Sequence, residues 1–166
     1  MHSTPRAPAS PAPDWLLPVP DEAAVMELAA SFARLAKAPL VMFLQGDLGA
    51  GKTTFARAFI HSLGYEGYVK SPSYGLLESY LAGGINVLHL DLYRIEDPEE
   101  LDFLALRDLF DDETILLVEW PDKGRYHLPQ PDLQLLFAEA EDTRTIGCQA
   151  HSRAGRELSQ RVERTI

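Results

Sequence analysis

The chain of 166 residues contains a single cysteine, Cys148. A lone thiol excludes an internal disulfide and any zinc cluster built from cysteines. Long apolar runs are missing as well: no stretch approaches the roughly 18–20 apolar residues that a membrane-spanning helix needs. His2 to Pro20 holds one Arg and no apolar centre, so it does not read as a secretory signal. Together these absences point to a cytoplasmic protein without a membrane role. Positive charge is also scarce, with 15 Lys and Arg against 25 Asp and Glu and a formal net charge of −10. Nucleic-acid binding takes much of its affinity from Lys and Arg that neutralise phosphates. Free-standing nucleic-acid binding is therefore disfavoured, and any link to RNA is expected to run through a partner protein.

The remaining composition, 46% hydrophobic and 24% charged, suits one globular domain with a real core. Six of the twelve prolines lie between Pro5 and Pro20, interleaved with Ala and Ser. That tract reads as unable to form a helix or a buried strand. Residues 1–16 are expected to be a disordered leader, and residues 17–166 a single domain.

Periodicity predicts the elements of that domain. Asp21 caps a helix whose apolar stripe is Val25, Leu28, Ala29, Phe32 and Ala36, and Pro39 ends it. Leu40 to Leu44 reads as a strand covered on both faces. Phe55, Ala56, Phe59, Ile60 and Leu63 have helical spacing, with Gly64 as the stop. Tyr74 to Tyr80 and Ile85 to Tyr93 read as a hairpin turning at Gly83-Gly84. Asp97-Pro98-Glu99-Glu100 has the form of a helix start, with Leu101, Ala105 and Leu109 on one face. Thr114 to Val118 is a further buried strand. Leu133 to Phe137 and Thr145 to Ala150 are expected to pair antiparallel. A strand, a Gly-rich loop and a helix followed by mixed strands predict an α/β fold, a P-loop NTPase-type mixed sheet flanked by helices.

The chemistry concentrates in one octapeptide. Gly46-Asp47-Leu48-Gly49-Ala50-Gly51-Lys52-Thr53 satisfies G-x-x-x-x-G-K-[ST] in full. Its glycines allow turns in which successive N–H groups face one anion, and the following helix adds its positive end. Lys52, at what reads as an exposed helix start, brings charge to the β- and γ-phosphates. Thr53 offers a hard oxygen to Mg²⁺. The pattern arises by chance in roughly 1 of 200 chains of this length. Here it also follows an apolar strand and precedes an amphipathic helix, so the expected ligand is a nucleoside triphosphate with Mg²⁺.

Such a loop needs acidic partners at neighbouring strand ends. Asp91 ends Val87-Leu88-His89-Leu90-Asp91, and Glu119 ends Leu116-Leu117-Val118-Glu119. Both are candidates for holding the metal or positioning water, and spacing does not divide the two roles. A solvated loop acid is the bland alternative for each. His89 faces the same side as Asp91 and reads as a structural histidine. Trp120-Pro121 suits a pocket wall or plain packing equally. The one asparagine, Asn86, is followed by Val87, so the Asn-Lys-x-Asp guanine reader is missing. Arg94, Arg107 and Arg125 are scattered, which argues against the converging arginines of a small-molecule kinase, the alternative reading. Partner-coupled ATP hydrolysis is the expectation that remains.

Four motifs in order extend this reading: the loop through Thr54, Ser71-Pro72-Ser73-Tyr74, His89-Leu90-Asp91-Leu92-Tyr93-Arg94, and Val118-Glu119-Trp120-Pro121. Their order and spacing resemble the TsaE (YjeE) family, from about Leu17 to Val162. The resemblance implies a bacterial cytosolic ATPase serving threonylcarbamoyladenosine modification of tRNA through a TsaB–TsaD pair. It further implies that Thr53 and Glu119 hold Mg²⁺ and that Asp91 serves hydrolysis. Asp47, Leu48, Gly49, Ala50, Gly51, Lys52, Thr53, Thr54 and Ser73 would bind ATP, with residues 71–73 as a switch-like loop near the γ-phosphate. The first helix around Glu22 to Val25 would approach the adenine. The chain departs from the family pattern twice: Ser73 stands for a usual Thr, and Val25 for a Thr common near the start of the first helix.

Overall fold

Seven strands in the order β1-β7-β6-β2-β5-β4-β3 form one mixed sheet in the computed structural model, which describes residues 11–72 and 75–166. They are β1 (Trp15–Pro18), β2 (Leu40–Gly46), β3 (Leu77–Ala82), β4 (Ile85–Asp91), β5 (Thr114–Glu119), β6 (Leu133–Ala140) and β7 (Thr143–Ala150). Among the described residues four α-helices accompany them: α1 (Glu22–Leu35), α2 (Lys52–Ser62), the short α3 (Leu106–Leu109) and α4 (Arg153–Glu163). The centre is parallel, with β2 between β5 and β6 and with β4 beside β5. The outer pairs β3–β4, β6–β7 and β1–β7 are antiparallel. The fold is thus a mixed α/β domain with helices against its sheet. None of its helices is long and apolar enough to cross a membrane, among the described residues.

Two apolar cores cover the two faces of the sheet. Met42 and Leu44 of β2, with Ile115 and Leu117 of β5, meet Phe32, Phe55 and Phe59 from α1 and α2. Leu158 and Val162 of α4 join the same core. On the opposite face Val41, Leu88, Leu90, Leu116 and Val118 lie beneath Leu101, Leu106 and Leu128 from the segments that connect the strands. Strands buried on both faces carry apolar residues without alternation, and the continuous runs of β2 and β5 follow from that. Alternation still fixes direction: residues 87, 89 and 91 of β4 share a face with 115, 117 and 119 of β5.

Several expectations need correction. The proline tract does reach the sheet: Asp14 N–H donates to Cys148 O at 2.7 Å, and Trp15–Pro18 is an edge strand against β7. An edge strand tolerates proline because half of its backbone groups need no partner strand. The leader boundary at residue 16 therefore falls inside β1. The segment beginning at Pro98 is a 3₁₀ helix to Leu104, and Ala105 then breaks it at φ 51° before α3. Leu101 is buried while Ala105 and Leu109 are exposed, so the three do not share a buried face. The first hairpin strand starts at Leu77, and the proposed start Tyr74 lies outside the described residues. The turn at Gly83-Gly84 forms as expected, with φ of 57° and 81°. Helix α4 had no counterpart among the predicted elements.

Candidate functional site

The loop of residues 46–51 leaves the carboxyl end of β2, the central strand, and runs directly into α2. Its course depends on missing side chains at two points. A Cβ on Gly46 would stand 2.5 Å from Phe137 O on β6, and Gly51 caps α2 at φ 108°. A glycine cap has an electrostatic consequence. Asp21 caps α1 by accepting from Ala24 N–H at 2.9 Å, and Ser152 caps α4 by accepting from Gly155 N–H at 3.0 Å. Among the described residues no side chain caps α2. Its first N–H groups keep their hydrogen-bonding capacity at the positive end of the helix, the arrangement that suits an anion.

Parallel pairing brings the acids to this point. Asp91 of β4 registers with Glu119 of β5, and Glu119 registers with Leu44 of β2, two residues before the loop begins. The Glu119 carboxylate accepts from Thr53 Oγ1 at 2.8 Å and from His89 Nε2 at 2.6 Å. His89 and Glu119 are almost wholly buried, at 0% and 2% exposure. A carboxylate only accepts, so Nε2 carries the hydrogen, and Nδ1 of the same ring has no hydrogen-bond partner among the described residues. Asp91 Oδ1 accepts the Tyr93 backbone N–H at 3.0 Å.

Lys52 departs from expectation. It is only 4% exposed, and its ammonium donates to the carbonyls of Gly46 and Asp47. Its charge lies 4.0 Å from the centre of the Trp120 ring, a cation–π contact. Burial lowers its pKa from the ordinary 10.5, while Glu119, Asp91 and Asp47 act in the opposite direction. Lys52 is therefore folded back into its own loop, because the carbonyls are the nearest acceptors for a desolvated ammonium. Trp120 reaches it from a left-handed backbone conformation, φ 56°, of the kind that costs about 1–3 kcal/mol and concentrates at functional sites. The Trp120 ring also lies 5.1 Å from that of Tyr93, and Lys123 stands over both.

The resulting cleft has a volume of about 300 Å³. Of the expected residues, Leu48, Gly49, Gly51, Lys52, Thr53, Thr54, Asp91 and Glu119 line it. Asp47 takes part through its carbonyl, and Ala50 packs toward the core. Ser71 also lines the cleft, whereas Ser73 lies outside the described residues. Val25 is buried beside the loop, where a side chain at Gly51 would meet its Cγ2 at 3.7 Å. Tyr93 was missed as a wall residue, and Lys123 as the cation over its ring. The sequence signal for Tyr93 was its place two residues after a strand-ending acid. Among the described residues no group of three or more His, Cys, Asp or Glu could hold a metal. Thr53 and Glu119 instead offer two hard oxygens beside an anion cradle. That donor set fits Mg²⁺, which keeps waters and shares phosphate ligands.

Comparisons of sequence and of fold with known proteins point the same way. The family model described as "Threonylcarbamoyl adenosine biosynthesis protein TsaE" matches residues 19–146. A tRNA threonylcarbamoyladenosine biosynthesis protein TsaE of Haemophilus influenzae is 38% identical over 145 residues, spanning 84% of this chain and 92% of the relative. One from Bacillus subtilis is 38% identical over 129 residues, spanning 77% of this chain and 78% of the relative. The crystal structure of Bacillus subtilis YdiB superposes with a TM-score of 0.79 at 28% identity, covering 95% of this chain and 99% of that one.

Proposed function

From the premise that this chain belongs to the TsaE family, we propose that it is a P-loop ATPase serving threonylcarbamoyladenosine modification of tRNA. In this reading it acts through a TsaB–TsaD-like protein pair and touches tRNA only indirectly. The observation that carries the ATPase reading is the junction of the uncapped α2 N-terminus with the registered acids Asp91 and Glu119. That junction offers donors for phosphate and carboxylates for metal and water within one cleft.

ATP enters with its phosphates toward the N–H groups of residues 49–53. Lys52 exchanges the carbonyls of Gly46 and Asp47 for phosphate oxygens, which are better partners for a desolvated ammonium. Thr53 and Glu119 would hold Mg²⁺, which, when bound, neutralises charge on the phosphates. His89 keeps the Glu119 carboxylate oriented through its Nε2 hydrogen. Asp91, fixed by the Tyr93 N–H, orients the attacking water and accepts its proton. Water oxygen bonds to the γ-phosphorus, the bond to the bridging oxygen breaks, and ADP and phosphate leave. Preorganised charge of this type supplies several kcal/mol of transition-state stabilisation.

The test is reconstitution with a purified TsaB–TsaD pair, with Mg-ATP supplied and phosphate release monitored. ADP should form without any phosphorylated acceptor, and binding of the pair should differ between a non-hydrolysable ATP analogue and ADP. ATP should compete better than GTP for the cleft. A phosphorylated small molecule would favour a kinase instead, and equal affinity in both nucleotide states would refute the switch.

A further inference from the structure

The net charge of −10 is not spread evenly over this molecule. Residues 96–113, between β4 and β5, hold nine exposed carboxylates and one base, Arg107. The same segment walls a groove of about 720 Å³ on the sheet face opposite α1 and α2. Leu101, Leu106, Phe110 and Leu128 give the groove an apolar floor. Two large aromatic side chains are almost wholly in solvent here: Tyr126, which lines the groove, at 96% exposure, and Phe103, next in sequence to the lining residue Asp102, at 89%. Aromatic residues left this open, beside an apolar groove, mark a surface built for contact with another molecule.

Charge decides what that molecule is. A nucleic acid would meet like charge, and so would a second copy of this chain presenting the same face. Asp102 and Asp108 line the groove beside Arg107, and the other seven carboxylates lie in the same segment. A protein segment rich in Lys and Arg, carrying one or two large apolar side chains, satisfies both this acidic segment and the apolar floor. We infer that the groove between residues 98–110 and 126–129 docks such a basic, apolar-anchored segment of a partner protein. The inference rests on the partner-coupled reading given above and adds the surface through which coupling occurs.

The groove is also connected to the cleft. One wall continues from Asp91 and Tyr93, and the other from Glu119, Trp120 and Lys123. His127 Nδ1 and Asp102 Oδ1, 3.1 Å apart, tie the walls together. Gly124 sits tightly between them, since a Cβ there would meet Leu92 and Leu101 at 2.8 Å and Leu128 at 2.9 Å. A segment seated in the groove thus presses on the two loops that carry the acids and the aromatic wall of the cleft.

The test compares the full-length chain with Phe103→Ala/Tyr126→Ala and with Asp108→Lys/Asp112→Lys, each titrated against a purified TsaB–TsaD pair with an ATP analogue present. All four positions are exposed and outside the cleft, so thermal midpoint and ATP affinity should match the unmodified chain. Both variants should bind the pair at least about tenfold more weakly, the loss that hot-spot removal produces. The charge-reversed variant should also lose most of the salt dependence shown by the unmodified chain. If the unmodified chain binds and both variants bind as tightly, the groove assignment is overturned while the partner reading stands. If the unmodified chain does not bind the pair at all, the partner reading fails and the groove assignment falls with it.

Discussion

Lys52 shows how one residue can serve the cleft and burden the fold. Its ammonium is buried on two carbonyls and an indole ring, with a lowered pKa. Lys52→Met should therefore lose at least about a hundredfold in ATP turnover while its thermal midpoint stays level or rises. Phosphate release and a thermal melt on the same sample check both halves. His89 has the opposite character, because removing it leaves Oε2 of a buried carboxylate without its donor. His89→Leu should raise the Mg²⁺ concentration for half-maximal turnover by about 10-fold or more, the usual effect of losing a residue that supports a metal ligand. His89→Gln retains a donor and should recover part of that loss, and a Mg²⁺ titration of nucleotide binding gives a readout independent of turnover. The octapeptide and the strand-ending acids were legible in the sequence because a phosphate site dictates residue type and spacing. The fold-back of Lys52 and the Thr53–Glu119–His89 chain were not, since both arise from side-chain packing between elements far apart in sequence.

At the scale of elements, legibility tracked periodicity. Strands β2 and β5 and helices α1 and α2 announce themselves through apolar runs or stripes with a cap or a Gly stop. The Pro98 segment misled because a capping sequence promises a helix start without fixing its type, and Ala105 ends it in a left-handed conformation. Helix α4 was hidden by its polarity: only Leu158 and Val162 are large apolar residues buried on it, and its signal was Ser152 as a cap. Strand β1 was hidden by prolines, although Trp15 donates to Ser159 Oγ at 2.9 Å and its ring lies 6.2 Å from that of Phe32. Beneath this junction of β1, β7 and α4 lies Cys148, which burial raises from 9.0 to about 12, against a smaller opposing effect of Ser159. A folded-state pKa above the unfolded one means that the native state retains the proton longer. Its contribution is complete below pH 9 and declines as pH rises toward 12. Cys148→Ala should therefore show a flatter fall in urea midpoint between about pH 8.5 and 10.5 than the unmodified chain. At neutral pH the native thiol should resist a thiol-reactive dye until urea exposes it.

For the whole molecule, the sequence reported charge as a single sum, and the structure reveals where the sum sits. Much of the acidity belongs to the segment between β4 and β5, which a composition cannot disclose. The same difference between sum and placement holds for the sheet order. Strand β2 is hydrogen-bonded on both sides, to β5 and to β6, and is covered on both faces, whereas β1 and β3 are edges. In deuterated solvent, the amides of Val41 to Leu44 should exchange only when the entire domain opens. Those of β1 and β3 should exchange orders of magnitude sooner, through local openings. Mass spectrometry of peptic fragments over a time course measures the contrast, and similar rates in β2 and β3 would refute it. The phosphate loop is then the direct extension of the last strand to surrender its hydrogens. A partner that loosens the edges of this sheet leaves the seat of the nucleotide standing.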